Sequence, residues 1–214
     1  IISTPVTLVI GGTYAELTGY GGRLSQTFFR ANALLVRSGF LLAGWMALIA
    51  PEFIRILLTD KWLPMLYAFR LMLVFTLLDP LKLSISEVLT AVGRPELVVR
   101  ARLVQLATLC GCLLIFSPAS GIVGVALAVD IMLAVGIAIL LWNARFFVDF
   151  SLAELFAVPA GALGAGLLVT TQVTRVVATG GNDWISGLLK TLVFCLVYLL
   201  VLLAFERSKL WQII

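Results

Sequence analysis

Long apolar runs separated by short polar breaks dominate the chain, and the runs are too uniform to be half-buried strands. A helix that crosses hydrocarbon needs about 20 mostly apolar residues. By that ruler, residues 1–10 give a partial span and Ala31–Ala50 give a full one that ends at Pro51. Pro64–Ala91 give a long span kinked near Pro80, because an interior proline removes a ladder donor and crowds the preceding turn. Leu97–Phe116 follow the turn-like GRPE at 93–96, and Gly121–Trp142 follow SPASG at 117–121. Leu152–Val173 and Trp184–Phe205 complete the set. The pattern predicts an all-α, polytopic membrane helix bundle with six full transmembrane helices plus the end of a seventh. An open sheet would leave backbone groups unpaired in hydrocarbon, and a barrel strand would alternate strictly over about ten residues.

The breaks carry their own signals. Trp62, Trp142, Trp184 and Trp211 fall at or beyond span ends, where an amphipathic ring prefers to sit. Trp45 lies well inside its span and is expected to pack against a neighbour. PEFIRILLT at 51–59 is too short to cross and reads as an amphipathic turn or two at the outer interface. Basic residues then give the orientation. Arg23, Arg30, Arg37, Arg94, Arg100, Arg102, Arg145, Arg207 and Lys209 fall on one side if every span crosses, against Arg55, Lys61, Arg175 and Lys190 on the other. Residues 11–30, the 92–96 and 143–151 loops and the C-terminus are therefore expected to be cytoplasmic, with 51–63 and 174–183 facing outward. The chain opens IISTPVTLVIGG, already inside an apolar run and without the basic start of a signal peptide. It reads as lacking an N-terminal portion.

Composition narrows the class further. Hydrophobic residues make up 62% of the chain and charged ones 12%, against roughly 45–50% and about 25% in soluble domains. The formal charge of +4 follows from arginines spread over the loops and is no nucleic-acid signal. There is no histidine, and Cys110, Cys112 and Cys195 lie inside apolar runs as small packing residues. Zinc sites, Cys–His nucleophiles and Ser–His–Asp triads lack the parts they need. GIVGVALA at 121–128 and GALGAG at 161–166 allow close helix approach in lipid and do not cradle phosphate. No catalytic, cofactor-binding or metal-binding residue is expected.

The chemistry is concentrated in charges that the membrane should resist. Near the bilayer centre each costs at least about 2.5–3.5 kcal/mol. The Pro64–Ala91 span nevertheless holds Arg70, Asp79, Lys82 and Glu87. Arg70 stands about two turns from the outer end, where its stem can snorkel. Glu87 is near the inner end. Asp79 and Lys82 are deep, three apart on one helix face, and can partly neutralise each other beside the carbonyl that Pro80 frees. One reading is a self-satisfied ion pair that stabilises a kink, and the other is the wall of a cavity that meets a charged or sugar-rich substrate. Asp130, near the middle of Gly121–Trp142, has no basic residue within four positions. It can pair with Lys82 or Arg70 across helices, bind a cation or proton, or stay neutral and buried.

ALIAPEFIRILLTDKWLPMLYAFRLM at 47–72, AVGRPELVVRARLV at 91–104 and SGIVGVALAVDIM at 120–132 together resemble the C-terminal half of bacterial polysaccharide flippases. These form the Wzx-like branch of the multidrug/oligosaccharidyl-lipid/polysaccharide exporter superfamily. The likeness covers about residues 1–150. Thr59 departs from it, standing where a glycine is expected before the acidic residue and Lys61-Trp62. The resemblance implies two six-helix lobes around a central cavity. Residues 1–30 would hold the end of a truncated helix and a cytoplasmic loop, and 31–142 the four-helix part of the second lobe. Residues 143–214 would add two helices and a short cytoplasmic tail. It also implies a bacterial inner-membrane transporter, not an enzyme, that flips undecaprenyl-diphosphate-linked oligosaccharides for O-antigen, capsule or exopolysaccharide export by alternating access. Its partners would be the lipid-linked oligosaccharide, membrane lipids, the missing N-terminal lobe and a coupling proton or sodium ion. On that reading Arg70 and Lys82 contact anionic groups, while Asp79, Glu87 and Asp130 balance charge or carry the coupling ion. The alternatives are a cation-coupled multidrug exporter of the same superfamily and a fragment of a membrane-embedded glycosyl or acyl transferase. A structural lobe whose substrate contacts all lie in the absent half is a further possibility.

Overall fold

The computed structural model describes residues 14, 16, 21–177 and 183–210. The partial span at 1–10, much of the 11–30 loop and the end of the tail lie outside them. Among the described residues the chain is almost wholly helical, with short turns between the helices and no strand. The helices are α1 (Gly21–Leu58), α2 (Leu66–Ala91), α3 (Pro95–Ala144), α4 (Leu152–Val176) and α5 (Asp183–Leu210), with a 3-10 segment, Asp60–Met65, between α1 and α2. Four of these, α1, α3, α4 and α5, are long and apolar enough to cross a membrane.

The 50-residue α3 is bent back on itself. Gly121 sits at φ 55°, ψ −130°, outside the helical region and favourable only to glycine. Beyond it, a side chain on Gly124 would collide with the Phe116 carbonyl, and one on Gly136 with the Gln105 amide. In a straight helix residues 105 and 136 would stand roughly 45 Å apart, at about 1.5 Å per residue. The two arms, 95–120 and 122–144, therefore run antiparallel and touch through glycine. The helical hairpin falls where the SPASG stretch was expected to turn.

α1 is the hub. It packs against α2, which in turn packs on α3, and separately against α4 and α5, which pair with each other. Leu24, Phe28, Val36, Phe40 and Leu48 of α1 join Leu81, Ile85, Val88 and Leu89 of α2, Leu133, Ile137 and Leu140 of α3, and Leu155 of α4 in one core. On the other flank Phe194, fully buried, fills a notch cut by two glycines. A side chain on Gly44 would lie 2.6 Å from its Cζ, and one on Gly166 2.8 Å from its Cε2. Of the GALGAG stretch, only Gly166 makes such a contact; Gly161 and Gly164 face open space.

Several boundaries differ from those the pattern predicts. α1 begins at Gly21, ten residues earlier than expected. Leu24 and Phe28, one turn apart, are buried there beside Tyr14, and the Phe28 ring meets that of Phe150 in a tilted contact at 5.7 Å. α1 also runs through Pro51 to Leu58, so PEFIRILLT is its last turns and not a separate interfacial piece. The reason lies across the interface. Proline at 51 has no N–H for the Ala47 carbonyl four residues back, and Arg70 of α2 donates its Nε–H to that oxygen at 3.1 Å. α2 starts two residues later than expected because Asp60–Met65 winds as 3-10. It ends in a Schellman motif: Gly93, at φ 76°, and Arg94 donate to the carbonyls of Thr90 and Leu89 at 3.0 and 2.9 Å.

Thr59, which starts the 3-10 segment, lies at φ 75°, ψ 164°. It is the sole non-glycine at positive φ among the described residues. That region is nearly exclusive to glycine and costs another residue about 1–3 kcal/mol. The glycine expected at this position thus has a conformational cause. Thr59→Gly is expected to stabilise the protein by about 1 kcal/mol, net of glycine's greater unfolded-state entropy. Thermal unfolding in detergent checks this, and an unchanged or lower midpoint would remove strain as the explanation.

Candidate functional site

The paired charges of α2 come from a helix whose ladder is interrupted at Pro80. Lys82 Nζ pairs with Asp79 Oδ1, its neighbour three residues back. The lysine side chain is 8% exposed and the aspartate 26%, so the ammonium is buried under a carboxylate that reaches the surface. Phe75, one further turn back, places its ring 5.6 Å from the same nitrogen. The charge therefore meets one anion and one aromatic face on its own helix. Next to it, Ser84 hydrogen-bonds the Tyr14 hydroxyl at 3.2 Å, and Ser86 donates to the Lys82 carbonyl at 2.9 Å. A short buried polar band thus runs along α2 past the proline.

The remaining candidates do not converge on this pair by direct contact. Arg70 is exposed and serves the Ala47 carbonyl; it lines a small cavity of about 150 Å³ with Phe40, Gly44, Leu77 and Leu163. Glu87 is half-buried near the C-terminal end of α2. Asp130 lies on the buried stripe of α3 that continues through Leu133, Ile137, Leu140 and Ala144, and is 9% exposed. Both of its carboxyl oxygens are buried without a hydrogen-bond partner. The cross-helix pairing of Asp130 with Lys82 or Arg70 does not occur, because Lys82 is taken by Asp79 and Arg70 by the freed carbonyl. Gln105, packed on Gly136 in the same hairpin, also leaves its amide nitrogen unpartnered. Groups of three or more metal-ligating side chains are absent among the described residues.

A second polar constellation was not anticipated. Along the α1–α5 seam, Glu52 Oε1 accepts from Lys190 Nζ and, at 3.0 Å, from Ser186 Oγ. Trp45 donates its indole N–H to Thr191 Oγ1 at 2.9 Å, which is the neighbour its mid-span position called for. Tyr198 donates to the Arg37 carbonyl at 2.8 Å, and Arg55 meets Asp183 at 3.3 Å. These links recur from end to end of the seam. The available signal was an acidic residue directly after Pro51 and a lysine inside the last apolar run; opposite charges placed in separate apolar runs call for each other.

No family model and no curated protein matches the sequence. Among solved structures the chain is similar to "Lipid II flippase MurJ, inward closed conformation", with a TM-score of 0.77 at 17% identity. The match covers 98% of this chain and 44% of that one, so the chain spans less than half the length of its structural neighbour. At this identity the likeness establishes the fold.

Proposed function

We propose that this chain is the second lobe of a multi-pass transporter that flips a lipid-linked, diphosphate-bearing sugar unit across the bacterial inner membrane. The observation that carries the reading is the buried Lys82–Asp79 pair at the Pro80 break, set in a lobe with the fold of a lipid II flippase. A diphosphate-sugar headgroup cannot enter hydrocarbon unaided. A lysine held at membrane depth by a weakly exposed carboxylate can exchange that partner for phosphate, forming a charge-assisted hydrogen bond of comparable strength. Asp79, released, then accepts from sugar hydroxyls. Asp130, buried without a partner, would carry the coupling proton or sodium ion. On this reading α1, α2, the two arms of α3, α4 and α5 make six crossings. α4 and α5 are the two helices added beyond the lobe's core, and the C-terminus is cytoplasmic. The lobe rocks against the rest of the complete protein to open the cavity alternately to each side.

The mixed signs of the α2 pair favour an anionic lipid over the organic cations of a multidrug exporter, which would need a net acidic cavity. The test is translocation in proteoliposomes that contain the complete protein. Undecaprenyl-diphosphate oligosaccharide should become accessible to an impermeant glycosidase on the opposite face, and an amphiphilic cation should not be moved. Transport of the cation alone would assign the protein to the exporter reading. Glycosyl or acyl transfer in the same vesicles would assign it to an enzyme class.

A further inference from the structure

We infer that the groove between α2, the second arm of α3 and the start of α4 is a binding site for an anionic phospholipid of the cytoplasmic leaflet, with Arg145 as its headgroup ligand. The groove holds about 610 Å³ and is lined almost wholly by apolar side chains, among them Leu78, Ala138, Leu141 and Phe150. Ala134 and Ala138 line it as small, exposed side chains, which leave room for an acyl chain laid along the helix. At one end the lining changes to Trp142 and Arg145. The Arg145 guanidinium lies 3.3 Å from the Trp142 ring centroid and 5.0 Å from that of Phe146. Both rings are more than 60% exposed.

The chemistry of that end selects the ligand. Stacking leaves the guanidinium's donors free at its edge, and no carboxylate stands within ion-pair distance of Arg145 among the described residues. It is a fixed, uncompensated cation at the mouth of an apolar channel. Exposed aromatic rings belong at headgroup depth, and the excess of basic residues puts this loop on the cytoplasmic side, where anionic lipids concentrate. A phosphodiester with an acyl chain satisfies both ends of the groove; a zwitterionic lipid offers the same chain but a weaker net attraction. This inference needs the membrane orientation only and stands apart from the transport reading.

The test uses the full chain, delipidated in detergent and titrated with phosphatidylglycerol or phosphatidylcholine, with bound lipid counted by native mass spectrometry. Phosphatidylglycerol should be retained in preference. Arg145→Gln should weaken its retention by about tenfold, the loss expected for one hydrogen bond to a charged group. Ala138→Phe, which fills the groove and leaves Arg145 in place, should weaken it similarly. Glycerol 3-phosphate, a headgroup without a chain, should not compete. Equal retention of the two lipids, or retention unaffected by both variants, would overturn the assignment. So would selective retention of undecaprenyl diphosphate over phosphatidylglycerol, which would make the groove part of the transport path. Should either variant fail to fold, wild-type protein photolabelled with a diazirine-bearing phosphatidylglycerol decides. Label on residues 134–152 supports the site, and label confined elsewhere refutes it.

Discussion

Under the proposed function, Lys82→Ala in the complete protein is expected to lower flipping of the lipid-linked oligosaccharide at least thirtyfold, on the order of the 2–3 kcal/mol lost with a charge-assisted bond to phosphate. Its level in the membrane should fall far less than its transport. Loss of transport alone would not separate a substrate contact from a packing role, because the alanine also strands Asp79 beside Pro80. The pair supplies its own control. Replacing both members of a buried ion pair with apolar residues is often neutral for stability, whereas removing one is costly. Asp79→Ala/Lys82→Met should therefore fold as well as the parent and still fail to transport. Lys82→Arg, which keeps the charge, should retain a measurable fraction. If the double variant flips substrate normally, the lysine serves only the kink, and the proposed passage loses its principal cation.

The reach and the limit of the sequence both show in the prolines. Pro80 lies between Asp79 and Lys82, and the pairing of the two was readable because both partners lie on one helix, three residues apart. The hairpin at Gly121 was readable for a similar local reason, since proline, serine and glycine cluster at 117–121 and glycine alone tolerates the backbone found there. Pro51 looked like a stop and is not one. Its cost is met by Arg70, 23 residues from the Ala47 carbonyl it serves, and no local pattern reveals that a carbonyl freed on one helix will find a donor on the next. The same holds for Glu52 and Lys190, separated by 138 positions. Asp130 marks the opposite case. Its burial was legible from its place in the span, but its lack of a partner was not, because Lys82 and Arg70 were plausible mates until their own contacts were seen.

Lys190→Ala is expected to destabilise the protein by about 3–5 kcal/mol, the cost of leaving one member of a buried ion pair without the other. Glu52 and Lys190 are 9% and 18% exposed at their side chains, so solvent does little to screen the loss. Ser186 alone would remain on the Glu52 carboxylate, whose second oxygen already lacks a partner. The damage should be local, because in lipid the association of α5 with α1 has no hydrophobic drive and depends on packing and polar links. Amide exchange should therefore rise along α5 and its partner α4 before it rises in α2 or α3. Two controls fix the interpretation. Glu52→Gln/Lys190→Met, which removes both charges, should recover most of the stability. Arg55→Ala should cost less than about 1 kcal/mol, because its pair with Asp183 is nearly half exposed on the arginine side. If Lys190→Ala unfolds no more easily than Arg55→Ala, the α4–α5 pair is held by the Phe194 notch and not by charge. The seam would then tolerate loss of every polar link so long as Gly44 and Gly166 stay small.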